Sequence, residues 1–178
     1  MLSSPVQAAP ESYTLDAMHS MPSFSFMHLN LSQFRGRFDK VSGNITLDLT
    51  AHAGSAEIAI DLASVSTGVP MLDTFMKGPR FFDVATFPTA SFKSVSFKFD
   101  GDRLAMVAGE LTLHGVTRPV QLDVAHFACR PHPLLKVQSC GADATVTIKR
   151  ADFGLDIFLD NDSNEVKLEL AIEALKGS

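Results

Sequence analysis

The sequence contains no tryptophan and only one tyrosine, Tyr13, although it contains 14 phenylalanines. The apolar aromatic residue therefore dominates, and the aromatic residues that carry a polar group are almost missing. Phenylalanine has no polar atom that needs a hydrogen-bond partner when it is buried. An interior rich in phenylalanine is therefore either a packed core or a dry cavity for an apolar ligand, and the composition leaves both open.

The chain also lacks an excess of basic residues and lacks long apolar runs. Its net charge of −5 predicts no nucleic-acid partner, because phosphates require a basic face. No run approaches the ~18 apolar residues of a membrane-spanning helix, so we expect no integral membrane segment. The 178 residues favour one domain, which we place at 13–178.

Residues 1–12 precede this domain and are small and polar. Val6-Gln7-Ala8 has the small-x-small pattern of a signal-peptidase site. One interpretation is that residues 1–12 are the disordered remnant of a signal peptide or a tag. The other is an ordinary disordered N-terminus.

Only two cysteines are present, Cys129 and Cys140, on either side of a proline-containing loop between two strand-like runs. Antiparallel neighbours would bring the two Cα atoms within disulfide distance, and a disulfide would indicate an oxidising compartment. Two alternatives stay open: buried reduced thiols, and a metal site that uses both cysteines and His132. The metal site has no standard ligand spacing and no clear fourth ligand.

Alternation of apolar and polar residues is what the chain has in abundance. Residues 81–124 contain three strand-like runs, separated by turn signals at Asp100-Gly101-Asp102 and at 114–119. Similar alternation near 23–28, 44–49, 56–62, 142–149 and 166–173 gives roughly eight long strands. Each has one dry and one wet face, as antiparallel sheets permit.

Eight antiparallel strands with one apolar face form either a sandwich or a closed barrel. The short connections favour an all-β, eight-stranded, up-and-down barrel, whose interior holds side chains or one slender ligand. Two segments break the alternation. The spacing of Leu72, Phe75 and Met76 predicts a short helix within 70–83, and residues 149–157 predict a helical turn with Phe153 inward.

Motifs of catalysis and metal binding are missing from the sequence. It has no Gly-x-Ser-x-Gly elbow, no phosphate-binding glycine loop and no dinucleotide fingerprint. The segment from Asp160 to Glu165 resembles a calcium loop only faintly, because Glu165 stands where the loop needs glycine. We interpret it as a solvated turn.

Single polar residues near the predicted strands have two interpretations each. His28 shares a strand face with Phe24 and Phe26, so it is either a hydrogen-bonded interior residue or a ligand-binding group. Arg35 is either a surface charge or a partner for a polar head group at the barrel mouth. The spacing of the histidines, including His19 and His114, predicts no metal site.

The order of several segments resembles the YceI-like family of periplasmic proteins with a lipocalin-like barrel. The segments are YTLDAMHS (13–20), FSFMHL (24–29), FRGRFDKVSGNITLD (34–48), RFFDVATFPTASFKS (80–94), GELTLHGVTRPVQLDV (109–124), ADFGLD (151–156) and EVKLELAIEA (165–174). The segment CGADATVTIKR (140–150) is similar to the cysteine-containing branch of the family, which favours the disulfide. Pro22 departs from the family pattern.

The resemblance implies a binding protein without a catalytic site or cofactor, which holds the isoprenoid chain of a polyprenyl lipid or a quinone along the barrel axis. It implies wall residues on two strands, residues of a helical cap, and two further inward aromatics. These ligand-binding residues are Phe24, Phe26, His28, Phe34, Arg35, Phe38, Phe75, Met76, Phe81, Phe82, Phe92 and Phe153.

The leading hypothesis is therefore a periplasmic carrier of an isoprenoid lipid, exported through a signal peptide. One alternative is a lipid-modifying enzyme that uses the same tunnel. Another is a stress-related interaction module whose interior is only a filled core. The oligomeric state, monomer or homodimer, stays open.

Overall fold

The computed structural model describes residues 9–159 and 163–177. Val6-Gln7-Ala8 lies outside the described residues, as do most of residues 1–12 and positions 160–162 of the segment that resembles a calcium loop. The strands are β1 Glu11–Leu15, β2 Met21–His28, β3 Ser32–Phe38, β4 Val41–Asp48, β5 Ala53–Asp61, β6 Val65–Ser66, β7 Thr89–Asp100, β8 Arg103–Leu113, β9 Val116–Pro131, β10 Gln138–Lys149 and β11 Glu165–Lys176. The α-helix is α1, Pro70–Lys77, and 3-10 turns cover Leu62–Ser64 and Arg150–Phe153.

These eleven segments form a closed, antiparallel, eight-stranded barrel. β1 and β2 both pair with β11, so they are two halves of one barrel strand that is interrupted between Leu15 and Met21. β3 pairs with β2, and β4 pairs with β1, so β3 and β4 are likewise two halves of one barrel strand, interrupted at Asp39 and Lys40. β6 is a short extension beside β3. The pairing of β1 with β11 closes the ring, which confirms the predicted up-and-down barrel.

The alternation of the sequence explains which face of each strand is buried. Along β11, Ala174 and Val166 are buried, and between them Leu168, Leu170 and Ile172 point inward in the same register. Three bulges, at Val95, Ala105 and Ala125, shift the register of β7, β8 and β9 and increase the local twist. The pairing of β1 with β11 covers the edges of these two strands. Among the described residues, residues 32–36 of β3 pair with β2 alone, because β6 pairs only with Arg37 and Phe38.

The two ends of the barrel differ. The end that we call the mouth is formed by the β2–β3 turn, residues 62–88 with α1, the β8–β9 turn and the β10–β11 connection. The opposite end is formed by three short turns, β4–β5, β7–β8 and β9–β10. All the non-strand structure of the described residues that could act as a cap therefore lies at the mouth.

The predicted helix is confirmed at the mouth. Pro70 occupies its first turn, where a missing N–H costs nothing, and the helix ends at Gly78, whose N–H donates to Phe75 O. Met76 is buried and faces the barrel. Thr67 donates to Asp73 Oδ1 through both its backbone N and its Oγ1, at 2.8 and 2.6 Å, which fixes the helix entry.

Candidate functional site: an apolar interior open at the mouth

The barrel interior contains three neighbouring cavities that follow one another from the mouth downward. The mouth cavity has a volume of about 560 Å³, the upper cavity about 90 Å³ and the lower cavity about 140 Å³. Phe26, Met76 and Phe81 line both the mouth and upper cavities. The upper and lower cavities share Ile60, Ala90, Leu111, Leu168 and Leu170. Side chains common to two cavities show that the three spaces are adjacent along the barrel.

The lower cavity is walled by inward aliphatic and aromatic side chains. Its lining includes Ile58, Phe92, Phe97, Leu122, Val124, Phe127, Val146 and Ile172. Several of these residues point into a closed barrel and are nevertheless only half-buried, as Phe92 and Ile172 show. A residue inside a barrel keeps accessible surface only where it borders empty space. The phenylalanines of this region therefore do not fill the interior.

The upper cavity lies against the main hydrophobic core. Its lining includes Phe24, Phe38, Leu62, Phe82, Ile148, Leu155 and Val166, all buried. The ring centroids of Phe24 and Phe38 lie 5.6 Å apart, and those of Phe38 and Phe82 lie 5.9 Å apart. These tilted contacts place the rings as a wall around the cavity.

Glycines on neighbouring strands make space for the rings of Phe24, Phe92 and Phe97. Gly36 pairs with Phe24 across β2 and β3, and a Cβ at Gly36 would overlap the Phe24 ring. A Cβ at Gly109 would lie 2.5 Å from Phe92, and a Cβ at Gly54 would lie 2.7 Å from Phe97. Each of these rings lies over the backbone of a glycine on a neighbouring strand, where no side chain fills the space.

The mouth cavity lies between α1, the β2–β3 hairpin and residues 157–158. Its lining includes His28, Leu29, Phe34, Leu72, Phe75 and Phe158. The rim is apolar and accessible, since Leu31 is 80% exposed, Met71 77% and Phe158 64%. An elongated apolar ligand could therefore enter here.

Arg150 is a buried charge that lines both the mouth and upper cavities. Its guanidinium donates five hydrogen bonds, to the carbonyls of Leu155, Ile157, Phe158 and Ser163 and to Ser163 Oγ, at 2.7 to 2.9 Å. A guanidinium has five N–H donors, so all of them are used by the protein. Arg150 therefore fixes the segment that carries Phe158 at the rim.

The environment of Arg150 also affects its charge. Burial lowers the pKa of the Arg150 guanidinium from its usual range, and the nearby Asp156 carboxylate partly opposes this change. The Arg150 Cζ lies 5.9 Å from the centre of the Phe81 ring, within the range of a cation–π contact. The positive charge at the base of the mouth is thus surrounded by carbonyl dipoles and an aromatic face.

At the opposite end, Tyr13 is almost completely buried beside the lower cavity. Its hydroxyl donates a hydrogen bond of 2.7 Å to Glu11 Oε2. Burial, followed by this contact with Glu11, raises the pKa of Tyr13 to about 12. Lys176 Nζ lies 2.6 Å from the other oxygen of Glu11 and joins the last strand to the first.

The predicted disulfide is present. Cys129 and Cys140 are register partners on β9 and β10 with Cα atoms 4.0 Å apart, and their sulfurs are bonded. Both thiols are consumed, so the two alternatives, free thiols and a metal site with His132, do not hold in this structure.

The structure brings most of the predicted site residues together along the three cavities. Phe24, Phe38 and Phe82 line the upper cavity, Phe92 lines the lower one, and the mouth cavity receives Phe26, His28, Phe34, Phe75, Met76 and Phe81. Two lie elsewhere: Arg35 is exposed and pairs with Ser25 on the outward register, and Phe153 is buried in the core beside the cavities. Their contact with a ligand stays a prediction.

Sequence reasoning missed Arg150 and most of the lower cavity. The lower cavity could have been found, because its aliphatic residues follow the same alternation that predicted the strands. Arg150 continues the inward register of Ile148, and a basic residue at an inward position was the available signal.

Comparison with known proteins agrees with this geometry. The profile of the YceI-like domain matches residues 13–174. A UPF0312 protein of Pseudomonas aeruginosa is 32% identical over 96% of this chain and 90% of its own length, and Protein YceI of Salmonella newport is 32% identical over 95% and 89%. A solved structure described as a polyisoprenoid binding domain from Saccharophagus degradans, implicated in plant cell wall breakdown, has a TM-score of 0.70, 25% identity and coverage of 94% and 99%.

Proposed function

Because the chain belongs to the YceI-like domain family, we propose that it is a non-catalytic carrier of a long isoprenoid lipid, such as a polyprenyl lipid or a quinone. The fold supports lipid binding in general, and the similar domain from Saccharophagus degradans is described as polyisoprenoid-binding. The observation that carries the proposal is the row of three adjacent, mainly apolar cavities from the mouth to the lower barrel.

The physical basis of binding is the removal of a branched hydrocarbon chain from water. Each buried methylene contributes about 0.8 kcal/mol, so several isoprene units offset the cost of ordering a flexible chain. The tail would extend past Phe24, Phe38 and Phe82 towards Phe92. The polar head would stay at the mouth near His28, where the lining becomes accessible.

The lining supports burial rather than chemistry. Among the described residues that line the three cavities, the polar side chains are Tyr13, Ser23, His28, Ser91, Arg150 and Ser163, and none is a carboxylate. Arg150 has no donor left for a substrate, because the protein uses all five. The lipid-modifying enzyme therefore has less support than the carrier.

We also propose the periplasm as the place of action. A disulfide between Cys129 and Cys140 needs an oxidising compartment, and the described residues contain no helix long and apolar enough to cross a membrane. Thiol alkylation of protein trapped directly from cells, followed by mass measurement, tests the compartment. Two alkylated cysteines would contradict it.

Native mass spectrometry of gently isolated protein tests the carrier. We expect an extractable apolar molecule, or uptake of one quinone or polyprenol per chain. A mass without ligand together with no uptake would contradict the proposal.

A tunnel-blocking variant makes the test specific to the interior. Ala90 lies between the upper and lower cavities, so Ala90→Phe should leave the mouth intact and exclude the tail from the lower barrel. We expect most of the bound ligand to be lost. Ala125→Phe, at an exposed position on β9, is the matched control and should bind like the unmodified protein. Equal binding by both variants would show that the ligand does not enter the lower barrel.

A further inference from the structure

The outer face of the barrel carries a cluster of possible metal-ligating side chains, on the other side of the sheet from the lower cavity. Asp16, His19 and Glu173 each offer one ligand atom, and these three atoms lie within 4.8 Å of one another. His19 Nδ1 is 2.7 Å from Asp16 Oδ2. The histidine spacing of the sequence predicted no metal site, because Glu173 is more than 150 positions away from the other two residues.

The interruption between β1 and β2 creates this cluster. A regular strand would send Asp16 and His19 to opposite faces, because they are three residues apart. Between Leu15 and Met21 the chain instead makes a turn, in which the His19 N–H donates to Asp16 O at 3.2 Å and the Met18 N–H donates to Asp16 Oδ1 at 3.0 Å. Both side chains therefore lie on the outside of the barrel, over β11.

The backbone of Glu173 holds the turn in place. Asp16 N donates to Glu173 O at 2.8 Å, Glu173 N donates to Ser20 Oγ at 3.0 Å, and Ser20 Oγ donates to Glu173 O at 3.1 Å. Ser20 is buried under the turn. The residue that supplies the third ligand atom thus also positions the segment that supplies the first two.

A groove of about 360 Å³ extends from the cluster across β10 to β9. Its floor consists of the small residues Gly141, Ala128 and Ala171. Its rim carries His126 and Asp143, which are register partners, in addition to His19 and Glu173. The groove leaves room for water molecules that would complete a coordination shell, or for one of these rim side chains.

We propose that Asp16, His19 and Glu173 form a binding site for one divalent transition metal ion of the zinc type. Imidazole nitrogen and carboxylate oxygen both bind Zn²⁺ at ~2.0–2.2 Å. Donor atoms that share one ion therefore lie less than 4.8 Å from one another, and the three atoms of this cluster meet that limit. Both cysteines are held in the disulfide, so the site uses nitrogen and oxygen ligands only. The site lies on the outer face of the barrel.

Isothermal titration of untagged, chelator-treated full-length protein with ZnCl₂ tests the site. We expect one ion per chain, and His19→Ala and Glu173→Gln should each weaken binding at least about tenfold. Glu173→Gln keeps the backbone hydrogen bonds, so it removes the ligand charge without removing the turn. Substitution with Co²⁺ should give visible absorption bands that both variants reduce.

The chain offers a matched control. His52 and Asp102 form another exposed pair, in which His52 Nε2 lies 3.2 Å from Asp102 Oδ1. Among the described residues, no third ligand joins this pair. His52→Ala should leave zinc binding unchanged. The proposal is overturned if zinc does not bind at one equivalent, if His52→Ala weakens binding as much as His19→Ala, or if only His126→Ala weakens it.

Discussion

Arg150 shows how one buried side chain can organise the mouth of the barrel. Its hydrogen bonds hold four carbonyl groups of the β10–β11 connection. We expect Arg150→Met to lower the free energy of unfolding by about 3 kcal/mol or more, because buried acceptors lose their donors. Urea unfolding monitored by circular dichroism measures this change.

Arg150→Lys separates charge from geometry in the same experiment. A lysine keeps the positive charge but cannot reproduce the planar fork, so it should restore only part of the stability. Arg118→Met, at an exposed position of β9, is the control and should change stability little. If Arg150→Met were as stable as this control, the hydrogen bonds would not anchor the rim.

Tyr13 provides a prediction of pH dependence at the residue scale. Its pKa is raised from 10.0 to about 12 in the folded protein, so folding favours the protonated phenol. The stabilisation is fully present below pH 10 and is lost as the pH rises towards 12. Because Tyr13 is the only tyrosine, the ultraviolet absorbance of tyrosinate reports on this one group.

Alkaline titration of the folded and the denatured protein tests this prediction. Folded protein should ionise well above the same protein in denaturant, and Tyr13→Phe should remove the signal. Ionisation at the same pH in both states would show that the phenol is not buried against Glu11.

Single residues were predicted with mixed success, for a physical reason. Phe24 follows from strand alternation, because apolar periodicity indicates which face of a strand is buried, whereas Phe38 and Phe82 were predicted from the family pattern. Arg35 and Arg150 have the same chemistry in the sequence, yet one is exposed and the other buried. Alternation places Arg35 on the outward register and Arg150 on the inward one. The hydrogen bonds from Arg150 to the β10–β11 connection depend on tertiary structure, and alternation does not predict them.

At the scale of strands, the glycine and phenylalanine pairs determine how the wall is built. Gly36→Ala would place a methyl group against the Phe24 ring and force the ring into the upper cavity. We expect a loss of stability of about 1–3 kcal/mol, as for other overpacked cores, and a smaller ligand capacity. Urea unfolding and ligand uptake measure the two effects.

Gly141→Ala is the matched control for this prediction. A Cβ at Gly141 would meet Ile172 O at 3.5 Å and Glu173 Cγ at 3.6 Å, which are ordinary contact distances. It should be neutral or slightly stabilising, because alanine restricts the unfolded chain. Equal effects of the two variants would indicate that the loss comes from strand propensity and not from the ring.

Strands and the helix were largely predictable, whereas the interruptions were not. Helical spacing of Leu72, Phe75 and Met76 gave α1, since Pro70 and Gly78 bound the helix in the sequence itself. The turn between β1 and β2 has no such signal in the sequence. It depends on Ser20 and Glu173, which meet only when the last strand closes the barrel.

At the scale of the whole molecule, the two ends of the barrel should differ in ligand uptake. Leu31 and Met71 are exposed at the mouth, so replacing both with serine should slow the uptake of a quinone from vesicles and leave the final capacity unchanged. The reason is that Leu31 and Met71 are exposed at the rim and do not line the three cavities. Stopped-flow or sedimentation measurements of transfer give the rate.

Leu134→Ser is the control at the opposite end, where Leu134 is 83% exposed in the β9–β10 turn. It should not change the rate. A slower rate in this variant, or no change in the double variant at the mouth, would mean that the ligand does not enter through the mouth.

The rings that lie over glycines also affect how the width of the barrel interior can change in evolution. Each of Phe24, Phe92 and Phe97 occupies the space of two wall positions, because the facing glycine contributes only backbone. Replacement of one such ring by a smaller residue would widen the barrel interior at the height of that ring without moving a strand. Three independent substitutions could thus adapt the same barrel to tails of different thickness.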